Sequence, residues 1–288
     1  MKVAIISGGK NKKLVSNESA DNIFMELHDH AKKIFNIKID EKGDWNNSGI
    51  KTSPHATLTH VDYVIDMTHD THDNKTKEFI KKLGLRHLIL NEYDHNFIRQ
   101  LANQLEVKTP NYEVLKEGSN IENFLHDKWR QMHLPLHIKS STNKIPTLKT
   151  YNPEEAYRHM IHIHGKKSDV ILDEVVIGRK VSLVTISKFR NEDIYVSPIV
   201  EKTKINNKKI LLNAKIENTE HKNNLLESAK KMHSVLDSKI LKHDYALTKN
   251  GPVLLNIETK PNYTKKSSFY HVLDSVGINF AEIIKTFK

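Results

Sequence analysis

The stretch KHDYALTKNGPVLLNIETKPNYT, residues 242–264, decides how the rest of the chain is read. Residues 243–247 and 253–257 are β-prone, and Asn250-Gly251 between them is a strong hairpin signal. Side chains of a strand alternate faces, so Asn256 and Glu258 project to the same side. With the hairpin paired, Asp244 converges on that face from the partner strand. Two carboxylates and an amide oxygen are hard ligands, suited to Mg2+ held beside phosphate. The same pattern also suits a plain hairpin with a few exposed polar residues, and spacing alone does not separate the two.

The chain has 288 residues and a mass of 33.3 kDa, enough for a full core and two or three subdomains. It contains no long apolar run, so no membrane-spanning helix is expected, and the opening MKVAIISGG reads as a strand rather than a signal peptide. With no cysteine, disulfides and thiolate chemistry are excluded, and a cytoplasmic protein is expected. A formal net charge of +10 favours anionic partners such as nucleotide phosphates. The positive residues are interspersed with Asn and Glu and form no basic stripe interleaved with aromatics, which argues against nucleic acid.

Working outward, residues 2–7 form an apolar run ending in Gly8-Gly9, the mark of a buried first strand. Ser16 or Asn17 is placed to cap a helix through Ile23, Phe24 and Leu27. Strands are expected at 35–39, 61–67 (after a loop containing Pro54) and 85–90, with a helix at 76–83 closed by Gly84. This alternation predicts a small parallel α/β sheet. Asp94 begins a helix with Phe97, Ile98, Leu101 and Leu105 on one face. Residues 181–187 and 194–199 read as paired strands, and 202–209 as a hairpin turning at Asn206-Asn207. Two histidine clusters, His69 to Asp73 and His159, His162 and His164, invite a metal reading, but neither closes a ligand set. The second reads as a basic helix face and its end.

The run Leu254-Leu255-Asn256-Ile257-Glu258-Thr259-Lys260-Pro261-Asn262-Tyr263-Thr264 resembles the Leu-Leu-Glu-x-Asn-Thr-x-Pro-Gly-Met-Thr strand of D-alanine–D-alanine ligases. Glu and Asn are exchanged, and Asn262 stands for the glycine. Further segments resemble the same family in order. They are the opening KVAIISGG, residues 107–112 (VKTPNY), 134–139 (LPLHIK), 170–180 (VILDEVVIGRK) and the closing 276–280 (VGINF). The resemblance covers nearly the whole chain and implies an α/β (α+β) architecture, an ATP-grasp fold preceded by a small parallel α/β domain. The implied division is 1–91, then a central subdomain over 92–173 and a C-terminal subdomain over 174–288. It also implies ATP and Mg2+ as cofactors, small amino acids as substrates joined through an acyl phosphate, and a homodimer through the first domain. On this resemblance Asp244, Asn256 and Glu258 hold Mg2+, while Lys139 and His95 (a Lys in the family) meet phosphate. Asp173, Glu174 and Val176 lie in the segment whose backbone reads adenine, and Lys180 falls where a Glu takes the ribose hydroxyls. Lys242 replaces an Arg facing the developing oxyanion, and Ser267 matches the Ser that holds the second substrate's carboxylate.

Departures are concentrated at the site. The loop after Lys139, Ser140 to Thr147, has no glycine and contains Pro146, so its backbone cannot approach phosphate as a glycine-rich loop does. Lys180 cannot accept hydrogen bonds from ribose, and Lys242 keeps charge without the guanidinium fork. The Glu that holds the first substrate's ammonium falls near Leu14. The family's His-Gly loop reads His69-Asp70-Thr71-His72, without its glycines, and no Tyr lies between Val196 and Lys242 to cover a substrate. Two functions are therefore expected: a diverged ATP-dependent carboxylate–amine ligase, or a catalytically inactive ATP-grasp protein with a binding or scaffold role. The retained trio favours the first, and the missing glycines and Glu favour the second.

Overall fold

Strand β1 (Lys2–Gly8) is buried along almost its whole length, as a strand flanked on both sides by parallel neighbours must be. In the computed structural model, which describes residues 1–9, 12–68, 74–89, 93–142, 145–205 and 208–286, it lies at the centre of the first sheet. Helix α1 (Lys13–Leu27) buries Ser16, Ser19, Ala20, Ile23 and Leu27, one stripe at helical spacing. Ser16 is not the cap. It lies inside the helix, where its hydroxyl accepts from Gly8 N at 2.9 Å and donates to Met67 O at 2.8 Å, joining helix to strand ends. Gly8 is required there: at φ +92° a Cβ would meet Ile39 O at 2.2 Å.

β2 (Lys33–Ile39) is followed by a hairpin that the sequence reading missed, β3 (Trp45–Asn47) and β4 (Ile50–Thr52), and by the short α2 (Pro54–Leu58). β5 (Tyr63–Asp66), α3 (Asn74–Lys82) and β6 (Arg86–Ile89) complete the sheet in the order β4-β3-β2-β1-β5-β6, parallel from β2 to β6 and antiparallel in the hairpin. The residues 69–73 of the first histidine cluster lie outside the described residues.

Helix α4 (His95–Gln104) starts at Asp94, whose carboxylate accepts from the N–H groups of Asn96 and Phe97. Its buried face is Asn96, Ile98, Arg99 and Ala102, whereas Phe97 is 45% exposed and stacks on Tyr93. The apolar stripe expected from sequence is thus rotated, because a buried arginine takes part of the face. A second sheet, β7-β10-β8-β9, follows from β7 (Tyr112–Leu115), α5 (Ile121–Trp129), β8 (Leu136–Ser140), β9 (Leu148–Thr150), α6 (Pro153–His164) and β10 (Val170–Glu174). It is antiparallel throughout, with α5 and α6 packed on one face over Leu136, Ile138, Val170 and Leu172. Histidines 159, 162 and 164 all lie on α6.

The third sheet is ordered β14-β13-β11-β15-β16, with β12 also on β11. Its strands are β11 (Arg179–Phe189), β12 (Glu192–Val196), β13 (Val200–Ile205), β14 (Lys208–Asn213), β15 (Ile240–Thr248) and β16 (Gly251–Glu258). Helix α7 (Thr219–Val235) and α4 cover one face through Leu183, Leu225, Met232, Leu241 and Tyr245. Toward the other face, Val184, Ile186 and Ile240 join a core shared with α1, α8 (Ser268–Asp274) and α9 (Phe280–Thr286). That shared core fixes the first sheet against the third. Among the described residues no helix is long and apolar enough to cross a membrane.

Candidate functional site

The β15–β16 hairpin pairs as its turn predicts: Asp244 faces Asn256, and Lys242 faces Glu258. Paired residues of an antiparallel ladder share a face, so all four side chains lie on one side of the hairpin. A bulge follows at once, because Tyr245 pairs with Leu254 and leaves Leu255 as the extra residue. It shifts the alternation of β16, so Leu254 and Ile257 both reach the α4–α7 core while Asn256 and Glu258 stay on the site face.

The carboxylates of the hairpin are already engaged by cations of this chain. Lys242 Nζ donates to Asp244 Oδ2 at 2.9 Å and to Glu258 Oε1 at 2.5 Å. Lys202 Nζ, from β13, donates to Asp244 Oδ1 at 2.7 Å, and Ser182 from β11 donates to the same oxygen. The Lys242 side chain is only 3% exposed. Burial alone would push its pKa down; the charges of Asp244 and Glu258 overcome that and hold it above its ordinary value. Burial likewise pushes Asp244 up, yet Lys242, Lys202 and Ser182 bring it down to about 2.

Mg2+ does not fit this donor set as arranged. An ammonium sits between the two carboxylates, and two unit charges about 4 Å apart interact by roughly 4 kcal/mol at an effective dielectric of about 20. A divalent ion beside Lys242 would face about twice that repulsion. No group of three His, Asp or Glu side chains among the described residues could hold a metal ion.

On the second sheet the balance is reversed. His137 and Lys139 of β8 lie on the face away from α5 and α6, Lys149 pairs with His137, and Asp173 pairs with it from the other side. Burial first, and then the nearby ammonium groups, hold two groups here below their ordinary values: His137 beside Lys139, Lys149 and Lys180, and Lys180, at the start of β11, beside Lys139 and Lys149. Lys139 is also held below its ordinary value, chiefly by burial, against the pull of Asp173 and with the push of Arg99. Arg99 Nη2 donates to Asp173 Oδ2 at 2.8 Å, and Lys139 donates to the same oxygen. Arg99 and Lys139 therefore share one carboxylate, Asp173, and the ammonium groups of Lys149 and Lys180 add positive charge beside them. The remaining oxygen of Asp173 is buried without a donor, an acceptor that a ligand N–H could satisfy.

The other predicted residues are distributed around this face. His95 opens α4, its backbone N–H donating to Ser141 O at 2.9 Å, next to the strand that carries Lys139. Glu174 points away from the cations. It accepts from His133 N at 2.8 Å and Asn111 Nδ2 at 3.1 Å; burial would raise it, but these bonds hold it below its ordinary value. Lys180 Nζ donates to Val176 O at 2.7 Å, so one carbonyl of the linking segment is already bonded within the chain. Gly178 lets that segment approach β15, since a Cβ there would meet Leu247 O at 2.5 Å. Ser267 caps α8, accepting from Tyr270 N and donating to Asn262 O at 2.7 Å.

Sequence reasoning missed Arg99, Lys149 and the reach of Lys202. Arg99 follows His95 by four residues and so shares its helix face. It does more than neutralise Asp173: Nη1 donates to Leu254 O at 3.1 Å and Nη2 to Leu255 O at 3.2 Å, binding both carbonyls of the bulge. Lys260 was missed as well. Its buried ammonium lies 3.6 Å from buried Asp66 at the end of β5, linking the loop after β16 to the first sheet.

Solved structures share this architecture over the whole chain. D-alanyl-alanine synthetase A from Vibrio cholerae superposes with a TM-score of 0.83 at 14% identity, covering 100% of this chain and 97% of that one. The VanG D-Ala:D-Ser ligase of Enterococcus faecalis gives 0.77 at 19% identity, covering 99% and 98%. The D-alanine–D-alanine ligase of Bacillus anthracis, complexed with ATP, gives 0.76 at 15% identity, covering 100% and 95%. No curated protein matches the chain by sequence. The family model described as D-ala D-ala ligase C-terminus, however, matches residues 101–287. With the β15–β16 hairpin and both antiparallel sheets inside that match, the chain belongs to the D-alanine–D-alanine ligase family.

Proposed function

We propose that this chain is a nucleotide-binding member of its family that holds the polyphosphate of ATP in the basic cleft and no longer ligates. The observation that carries this reading is the contrast in charge between the two halves of the site. Arg99 and Lys139 share the single carboxylate of Asp173 with Lys149 and Lys180 adding charge nearby, whereas Asp244 and Glu258 are satisfied by Lys242 and Lys202. Lys139, Lys149 and Lys180 would meet phosphate as point charges. His95, beside Ser141 at the N-terminus of α4, would add a donor. The segment of Asp173, Glu174 and Val176 would flank the base.

Groups needed for ligation are engaged elsewhere or missing. Lys242 is held by two carboxylates and is not free to face a developing oxyanion. The hydroxyl of Ser267 is engaged as a helix cap. Leu14, near which the ammonium-binding Glu would fall, is 84% exposed. One observation favours the second reading, a working ligase: Asp244, Asn256 and Glu258 keep a common face and register.

Calorimetry with a non-hydrolysable ATP analogue, on the wild type and Lys139→Ala, tests the binding. Micromolar affinity that falls at least about tenfold in the variant is expected. Phosphate release from ATP is measured alongside with D-alanine and other D-amino acids, and none above background is expected. No heat at millimolar nucleotide would sink the binding reading, and amino-acid-dependent phosphate release would restore the ligase.

A further inference from the structure

The Asp244–Glu258 cluster is complete without a ligand. Lys242 sits two residues before Asp244 on β15 and opposite Glu258, so the strand register itself places its ammonium between the two carboxylates. Lys202 and Ser182 take the other oxygen of Asp244. Two carboxylates and two ammonium groups balance, and an added divalent ion would leave the cluster with an excess of two positive charges. An ammonium is a compact point charge with three donors, closer in shape to a metal ion than a planar guanidinium would be. Its stem is buried, so withdrawal to make room for a metal would strand a charge in the interior.

We infer that Lys242 Nζ is a built-in cation that holds the position between Asp244 and Glu258 a divalent ion would need, so that the cleft takes polyphosphate as the metal-free anion. The metal exclusion rests on the hairpin alone, while the identity of the anion rests on the nucleotide reading proposed above. The cations for the anion are supplied by Arg99 of α4, Lys139 and Lys149 of the second sheet and Lys180 of β11.

Paramagnetic resonance of Mn2+ titrated with the protein, without nucleotide, tests the first half. The wild type should leave millimolar Mn2+ free. Lys242→Met, similar in length and uncharged, should bind one Mn2+ at least about tenfold more tightly than the wild type, and adding Asp244→Asn should abolish that site. Mn2+ should also raise the melting temperature of Lys242→Met and leave that of the wild type unchanged. Lys242→Gln, shorter and likewise uncharged, should gain the same site, so the result stands even if the Met variant does not fold. Saturable Mn2+ binding by the wild type that Asp244→Asn removes, or a folded Lys242→Met variant that binds no Mn2+, would overturn the inference.

The second half is read from ATP affinity in EDTA and in Mg2+. Affinity in EDTA equal to or above that in Mg2+ is expected, and a loss of more than about tenfold in EDTA would overturn it. Absence of binding in both buffers would instead sink the nucleotide reading and leave the Mn2+ result as the measure of the hairpin.

Discussion

Two halves of one site treat charge in opposite ways. On the β15–β16 hairpin every carboxylate has its own ammonium: Lys242 bridges Asp244 and Glu258, and Lys202 adds to Asp244. Around the facing sheet Lys139 of β8 and Lys149 of β9 crowd against Lys180 of β11, and Asp173, which Lys139 meets, is shared with Arg99. Burying like charges near one another is unfavourable unless something anionic arrives to offset it. A balanced cluster contributes to holding the fold, and an unbalanced one reports where a ligand is missing. On the proposed reading the hairpin, from which a metal centre was expected, is the structural half, and polyphosphate binding belongs to the lysines around Asp173.

Arg99 joins the two halves, so its removal is the severest way to break the comparison. Its guanidinium spans from Asp173 to the carbonyls of Leu254 and Leu255, which form the bulge that keeps Asn256 and Glu258 on the site face. Arg99→Leu would leave a buried carboxylate with one fewer partner and take a charged donor from two carbonyls. A loss of about 3–5 kcal/mol in urea unfolding is expected. Arg99→Lys should recover less than half of it, because an ammonium cannot span the fork. A loss under about 1 kcal/mol for Arg99→Leu would show that the bulge stands without it.

The opposite face of β15 sharpens the contrast by avoiding charge altogether. His243 is wholly buried, and its Nε2 lies 2.8 Å from Thr185 Oγ1, which lies 2.6 Å from His233 Nδ1; His233 Nε2 lies 2.7 Å from Ser187 Oγ. Ser187 donates to Ser238 O, so one order of protons serves the whole chain. His243 donates to Thr185, Thr185 donates to His233, and His233 donates to Ser187. Burial holds His233 down at about 4 and His243 at about 3, below the ordinary 6.5. Both are neutral in the fold, while the unfolded chain takes up protons below about pH 6.5. Stability is therefore fully present above that pH and is lost as pH falls toward the folded values. Between pH 7 and pH 5 the pair should account for a loss of about 2–4 kcal/mol, read from urea midpoints. His233→Gln should flatten that slope. Asp244, lowered to about 2, contributes stability above its unfolded value near 3.8 and loses it only in stronger acid, so a slope that begins below pH 4 would assign the effect to the carboxylates.

How much of this was legible follows the range of each interaction. The hairpin at Asn250-Gly251, the alternating strands and helices of the first sheet, and the helix start at Asp94 are local, and their residues announce them. The shared face of Asp244, Asn256 and Glu258 was legible because pairing across a short turn fixes it. The β3–β4 hairpin was missed although Ser48 and Gly49 both take positive φ, since Trp45-Asn46-Asn47 and Ile50-Lys51-Thr52 are too short to carry a periodic signal. Ser16 was misread because a hydroxyl near a helix start suits both a cap and a bond to a neighbouring strand. What Lys242 touches, and that Arg99 reaches residues more than 150 positions away, depend on the packing of separate sheets. No local pattern encodes that.

The smallest effect expected is the most specific to the cleft. Lys149 is exposed on β9, and among the described residues it forms no ion pair, so it contributes little to the fold. Its ammonium matters through the field it adds beside Lys139 and Lys180. Lys149→Gln should leave the melting temperature within about 1 °C and weaken ATP-analogue binding roughly three- to tenfold, or about 0.7–1.4 kcal/mol. The loss should shrink as salt is raised, because an exposed charge is screened over about 8–10 Å at physiological ionic strength. Unchanged affinity at low salt would place the anion away from β9. A fall in stability would mean that Lys149 belongs to the balanced half after all.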